Sequence, residues 1–490
     1  MPFRARTAIF RWSLHSVPYS IHHHQPHSLH SSSSSILLKF TSLAQPQVNG
    51  KSVETCDDDG FLSWLERKAG CRISSSLSIG KSSYGRSLFA SKAIKTGDCI
   101  LKVPYRVQIT ADNLPAKIKS LISEEVANVA KLAVLLLIER KLGQLACMSE
   151  ISLSVCRTLS GILISAVYHG KRSCITRQIF WNESELEMIH RSSVYWETIN
   201  QKSQIERDFL AIRPIFECFS QSFGDITYKD FMYACTLVGS RAWGSTNGLS
   251  LIPFADFVNH DGNSEAIVMS DDDKQLSEVI SDRDYAPGEQ VLIRYGKFSN
   301  ATLMLDFGFT VPYNIYDQVQ IQLDIPKHDP LHKMKLELMQ QYFVPSRKNA
   351  ENLKHSWNIF TIKEVKWPKG KGKGLPQSLR AFARVLSCTN RQELDDLVVE
   401  AAQTDGRLGR RPLPDVNKEI QAHLMLSSLI GKLIEERSAA IMSLEESSNC
   451  SSFCVRVPVR RFMARDLLRG ELRILNSAFT WLENYCLSST

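Results

Sequence analysis

Phe61, Leu62, Trp64 and Leu65 recur at helical spacing just after the acids Asp57, Asp58 and Asp59, and acids ahead of an apolar face suit a helix N-terminus. A short helix is predicted there. From Ile79 to Ile109 strand-forming residues come in brief runs broken by Gly80, Gly85 and Gly97, the texture of a small antiparallel β unit with tight turns. Helical spacing returns between Ala111 and Asp225, where residues 131–141 are apolar on several faces and residues 183–200 alternate charged and apolar positions. Thr227, with Asp230 three positions on, is an N-cap for a helix whose apolar face is Phe231, Ala234, Cys235 and Val238. That helix delivers Ser240 and Arg241 to the edge of the next β segment. Strand signals resume from Gly248 to Leu323 in LSLIPFADFVNH, EAIVMS, SEVISDRDYAPGEQVLIRY and DQVQIQL, with turns at Asp272-Asp273 and Pro287-Gly288. After Pro326 the pattern is helical to the end apart from WPKGKGKGLPQ at 367–377, with long amphipathic helices over 417–447 and 459–487.

A chain of 490 residues has room for two or three domains with cores of their own, which rules out a disulfide-stapled miniprotein. Its 43% hydrophobic and 22% charged residues are ordinary for a packed globular protein and exclude disorder over most of the length. The strongest apolar run, Leu132 to Ile138, stops at Glu139-Arg140, well short of the roughly 20 residues that cross a bilayer, so no membrane span is expected. Of the net charge of +8, the first 50 residues supply four through Arg4, Arg6, Arg11 and Lys39 with no acid, and the remaining +4 is too dispersed to make nucleic acid the main partner. The 12 cysteines lack CxxC pairs and fit reduced thiols inside a cell better than a zinc cage or a disulfide framework.

Residues 1–50 are Arg-bearing, acid-free and Ser-rich, the composition of an organellar transit peptide. The serines favour chloroplast, while Arg4, Arg6 and Arg11 around Phe10 and Trp12 also suit a mitochondrial presequence. His22, His23 and His24 lie in that leader without a scaffold to aim them at one metal ion. Lys369 to Gly374 alternates Lys and Gly, yet lacks the preceding apolar strand and Gly-Lys-Ser/Thr ending of a phosphate loop, and reads as a solvated loop.

Three stretches concentrate turn, polar and aromatic residues: YGRSLFASKAI at 84–94, SRAWG followed by IPFADFVNHD over 240–261, and GEQVLIRYGKFSNATLMLDFGF at 288–309. Taken alone, ADFVNH reads as well as a buried strand end whose Asn and His satisfy each other and nearby backbone. In the order GxxLFA, helical insert, SRAW, ADxxNH, GEQ…Y and SNAxLxLDFGF, however, these features resemble the split SET-domain protein methyltransferases of the Rubisco large-subunit methyltransferase type.

The resemblance implies an α+β chain. A β-rich SET domain with a pseudoknot would occupy 51–325, made of nSET 77–110, a helical insert 111–235 and cSET 236–325, followed by an all-helical substrate-binding domain over 326–490. It implies S-adenosyl-L-methionine as cofactor, contacted by Asn259 and His260 in the pseudoknot, by backbone at Tyr84, Gly85 and Arg86, and at Phe307. Carbonyls near Ser240, Arg241 and Asp256 would line the channel for the incoming amine, and Tyr295 would direct its phenol oxygen at the reacting centre. The chemistry is attack of a neutral amine on a sulfonium methyl group, which depends on alignment, needs no metal, and requires a poorly solvated channel because a free lysine has a pKa near about 10.4. The expected substrate is a lysine of a non-histone protein, with protein histidine or a non-catalytic SET-like binding subunit as alternatives, and the chain is expected to be a monomer.

Three departures stand out. Tyr84 replaces a common Glu, Phe307 stands in LDFGF where the plant enzymes have LDYGF, and residues 145–178 match nothing in the family. That last segment is expected to be dispensable, mispredicted or lineage-specific sequence.

Overall fold

The computed structural model describes residues 8–9, 59–83, 85–148, 176–245, 248–343, 358–368, 370–446 and 456–489. Tyr84, residues 149–175 and the leader other than Ala8–Ile9 lie outside the described residues. The first helix, Asp59–Ala69, buries Phe61, Leu65 and Ala69, one face at four-residue intervals. An antiparallel hairpin comes next, Leu77–Ser82 with Gly85–Ala90, closed by the pair Ser82 and Gly85. Cys99–Pro104 then lies beside Leu276–Ile280, which pairs in turn with Ile267–Asp271 across the turn at Asp272 and Asp273. A further sheet joins Ile109–Thr110, Gly248–Leu251, Trp243–Ser245 and the two residues Ala8–Ile9. Early and late β segments thus form one β-rich unit, stitched again where Phe89 meets Gln290 and Ile94 meets Tyr285.

The intervening helices pack on this unit. Asn128–Met148 lies against Tyr228–Arg241, and Ser193–Cys218 crosses both. The expected capping box is present: Thr227 Oγ1 accepts from the Asp230 amide, and the Asp230 carboxylate accepts from the Thr227 amide.

Residues 145–148 and 176–178 of the unmatched segment are described, and they are structural. Residues 145–148 extend a helix, while Arg177 and Gln178 are buried, donating to the Asp306 and Leu305 carbonyls. Excising the whole of 145–178 would therefore remove the support of the turn that carries Phe307.

The C-terminal region is helical over His332–Phe343, Gln377–Ser387, Arg391–Gln403, Val416–Glu446 and Arg456–Ser489, the last two packed along each other. It is helical with one exception: Ile359–Lys363 is a strand, antiparallel to Gln318–Gln322. Phe360 and Ile362 are buried while Ile359 and Thr361 are half-buried, so the stretch follows a period of two rather than the helical reading after Pro326. Its partner strand, grouped by sequence with the earlier β unit, places Val319 and Ile321 in the C-terminal core instead. Arg456–Ser489 also ties the two halves together, through Arg460 with Glu185, Glu471 with Ser192, and Asp466 with Thr310.

Candidate active site

Residues 252–261 form the centre of the site. Phe254, fully buried at φ 71°, starts a tight 3-10 turn over Ala255–Phe257, and the chain then enters the two-residue strand Asn259–His260. That strand pairs in parallel with Leu292–Ile293, and Asp261 N–H donates to the Ile293 carbonyl at 3.0 Å. Successive strand residues face opposite ways, so Asn259 and His260 serve different neighbours. Asn259 Nδ2 donates to Ser87 Oγ at 2.6 Å, and Ser87 shares a 2.7 Å hydrogen bond with Ser82, which brings the hairpin end carrying Gly85 and Arg86 to this strand. His260 Nδ1 accepts from the Tyr295 amide at 3.1 Å. Burial pushes the imidazole down to about 4, so it is neutral at physiological pH, with its proton on Nε2.

Tyr295 lies across from this strand, and its hydroxyl donates to the Val258 carbonyl at 2.8 Å. Burial holds the phenol well above its ordinary range, with Arg241 opposing and Asp256 adding to the effect, so it acts as a neutral donor. Its ring sits 5.1 Å from both His260 and Phe307 and 6.5 Å from Phe309, while Phe298 stacks on Phe307 at 5.8 Å. Phe307 arrives on a wide helical turn, Leu303–Phe307, closed by the Gly308 amide donating back to Leu303 O. Asn300 braces this turn by exchanging hydrogen bonds with the Val311 backbone, and the Asp317 carboxylate accepts from the Asn300 amide at 2.7 Å.

The capped helix Tyr228–Arg241 ends at the third element. Arg241 donates from one nitrogen to both the Asp256 carbonyl and its carboxylate, each at 3.2 Å. Burial raises the Asp256 carboxyl above its ordinary range despite Arg241 and the more remote pull of Arg86. The Arg86 guanidinium lies over the Phe257 ring at 5.8 Å. Ser240 turns its hydroxyl back to the Leu237 carbonyl. The assembled surface is neutral rings, neutral donors and backbone carbonyls beside one buried ion pair, a lining suited to a cation held by π faces and carbonyl dipoles. Among the described residues no three His, Cys, Asp or Glu side chains are grouped as metal ligands.

Residues 85–296 match the SET domain family and residues 326–475 the Rubisco LSMT substrate-binding family. This chain carries a SET domain followed by a Rubisco LSMT substrate-binding domain. The chloroplastic ribulose-1,5 bisphosphate carboxylase/oxygenase large subunit N-methyltransferase of Pisum sativum is 26% identical over 57% of this chain and 56% of its own length. The actin-histidine N-methyltransferase of Dasypus novemcinctus is 24% identical over 61% of this chain and 50% of its own. The chain thus spans about half the length of the curated relatives it matches. Solved structures of Rubisco LSMT bound to AdoMet, and of its SET domain bound to lysine and AdoHcy, share the fold, each with a TM-score of 0.64 at 21% identity over 88% of this chain and 92% of theirs. Among the described residues no helix is long and apolar enough to cross a membrane.

Gly85, Arg86, Arg241, Asp256, Asn259, His260, Tyr295 and Phe307 fall on adjoining elements, while Ser240 stands beside Arg241 at the helix end with its hydroxyl turned away to Leu237. Several neighbours escaped the sequence reading. Ser87, Val258, Phe298, Phe309 and the pair Arg177 and Gln178 hold the named residues in place. Ser87, Val258, Phe298 and Phe309 sit inside the three motif stretches, which was the available signal, whereas Arg177 and Gln178 had none.

Proposed function

We propose that the chain is an S-adenosyl-L-methionine-dependent protein N-methyltransferase that modifies a lysine of a non-histone protein. The observation that carries this reading is the arrangement around Tyr295: its hydroxyl is fixed on the Val258 carbonyl, in a wall of His260, Phe307 and Phe309, beside the Arg241 and Asp256 pair. The neutral, ring-rich and carbonyl-rich lining fits a sulfonium cation, and the solved LSMT structures bound to AdoMet support it. When bound, the cofactor supplies a methyl group on positively charged sulfur. The work left to the protein is alignment and desolvation rather than strong acid–base chemistry.

In this reading the strand Asn259–His260 and the hairpin end at Gly85 and Arg86 hold the cofactor, together with Tyr84 of the same sequence motif. Carbonyls at Ser240, Arg241 and Asp256 hold the remaining protons of the amine, and burial favours its neutral form. Tyr295 orients the reacting groups through its phenol, and Phe307 bounds the space beside both. The helical region from 326 holds the substrate, in keeping with the name of the family it matches. The leader and the chloroplastic Pisum sativum relative support a chloroplast location, with mitochondrion as the alternative and a monomer as the working form.

Histidine is the second reading, favoured by the actin-histidine relatives. Incubation of the protein with labelled cofactor and an organelle extract from a knockout, with peptide mass spectrometry of the products, identifies the residue modified. Tyr295→Phe should keep cofactor affinity by calorimetry and cut turnover by about a hundredfold or more. Unchanged turnover would remove Tyr295 from the reaction, and cofactor binding without any transfer by the parent would favour a non-catalytic subunit.

A further inference from the structure

The Lys and Gly alternation over 369–374 has a structural logic that a merely solvated loop would not need. Trp481, buried in the C-terminal core, donates from Nε1 to the Gly370 carbonyl at 2.8 Å. Gly372 lies against its ring at φ +67°, where an added Cβ would stand 2.6 Å from Trp481 Cζ2. Gly374, at φ +130°, faces the Lys363 carbonyl so closely that a Cβ would stand 2.7 Å away. Only glycine fits at these two positions. The glycines therefore bind the loop to the core, and Lys371 and Lys373 between them are turned to solvent.

The display extends on both sides. Lys363 and Lys366 are exposed, and none of these four lysines has an acidic partner among the described residues. Trp367 is 72% exposed at the same edge. Arg473 links this edge to the segment that follows the Phe309 wall: it pairs with Glu364 at 2.8 Å, donates to the Asn314 carbonyl at 2.7 Å, and covers the Tyr313 ring at 4.4 Å. Tyr313 and Ile315, 74% and 61% exposed, come directly after the segment that leaves the Phe307 and Phe309 wall. Exposed large apolar side chains beside uncompensated amines on a pinned backbone form a surface with little ordering cost on binding.

We propose that this surface, Lys363, Lys366, Trp367, Lys371 and Lys373 with Tyr313 and Ile315, docks an acidic, apolar-containing segment of the protein substrate. The inference rests on the methyltransferase reading and adds the charge class of the substrate. Charge complementarity selects an acidic partner. A peptide is favoured over nucleic acid because Ile315 offers no stacking face, the free cations here number only four among the described residues, and the surrounding family match is a substrate-binding domain.

The test uses the whole chain with a fluorescein-labelled peptide of Glu and Leu, its Gln and Leu counterpart and a single-stranded oligonucleotide, read by anisotropy. The expected result is binding of the acidic peptide alone, weakened about tenfold by the double variant Lys371→Glu and Lys373→Glu and several-fold by Trp367→Ala. Raising the salt several-fold should weaken it as well. Equal binding of the Gln peptide, equal binding by the lysine variant, or preference for the oligonucleotide would each overturn the proposal. Cofactor calorimetry on the same samples keeps the two readings apart, since loss of cofactor binding in the parent would count against the methyltransferase assignment and leave the peptide result standing.

Discussion

Arg241→Met is the most informative single change near the site, because it strands Asp256, whose side chain is 4% exposed. A buried carboxylate without its partner has two ways out. It can stay ionised, which breaking a buried pair shows to cost about 3–5 kcal/mol. Alternatively it can take a proton at pH 7, about 3.2 pH units above the ordinary aspartate value of 3.8, at about 1.36 kcal/mol each, or about 4 kcal/mol. Both routes give nearly the same penalty at neutral pH, but only the second falls with pH, to about 1.6 kcal/mol at pH 5. The sign comes from the raised carboxyl: the folded variant binds a proton that the unfolded chain has released, so stability is lost as pH rises above the unfolded value. Against a parent whose Asp256 carboxyl is already somewhat raised, Arg241→Met should therefore be destabilised by up to about 4 kcal/mol at pH 7 and by less than half of that at pH 5. Adding Asp256→Asn should recover most of the loss, and neither variant should turn over, because the carbonyl of residue 256 loses the donor that fixes it. Urea denaturation at both pH values, with the single and double variants, measures this. A loss below about 1 kcal/mol at pH 7, or one that does not shrink at pH 5, would refute the argument that Arg241 acts by holding a buried Asp256.

Asn259→Ala removes the link to Ser87, whose hydroxyl is fully buried, and should cost about 1–3 kcal/mol while weakening S-adenosyl-L-methionine binding. Thermal shift with and without cofactor separates the two effects, and an undiminished cofactor shift would take Asn259 out of the binding site. Phe307 lies 5.1 Å from Tyr295 without a hydroxyl to restrain a methylated amine, so di- or trimethyl-lysine is the expected product. Phe307→Tyr should lower the methylation state, a shift for which about 1.4 kcal/mol of differential barrier is a factor of ten. A parent that stops at monomethyl-lysine in time-resolved mass spectrometry would contradict it.

What the sequence determined by itself was set by interactions within a few residues. Thr227 and Asp230 cap each other three positions apart, and the apolar faces over 416–446 and 456–489 repeat every turn, so these helices were legible without a partner. The ordered motifs from GxxLFA to LDFGF likewise pointed to the SET fold, because order and residue type survive in one dimension. Tertiary structure decided the rest. Ile359–Lys363 is a strand because Gln318–Gln322 is there to pair with it, and Gly372 and Gly374 are required because the Trp481 ring and the Lys363 carbonyl lie against them. Asn259 meets Ser87 from 172 residues away, and Arg177 and Gln178 reach the turn of Phe307 from an unmatched segment. The neutrality of His260 was equally hidden, since it comes from burial among groups on other segments. Caps and periodicity act through neighbouring bonds, whereas these contacts and charge states depend on which distant segments the folded core brings together and dries.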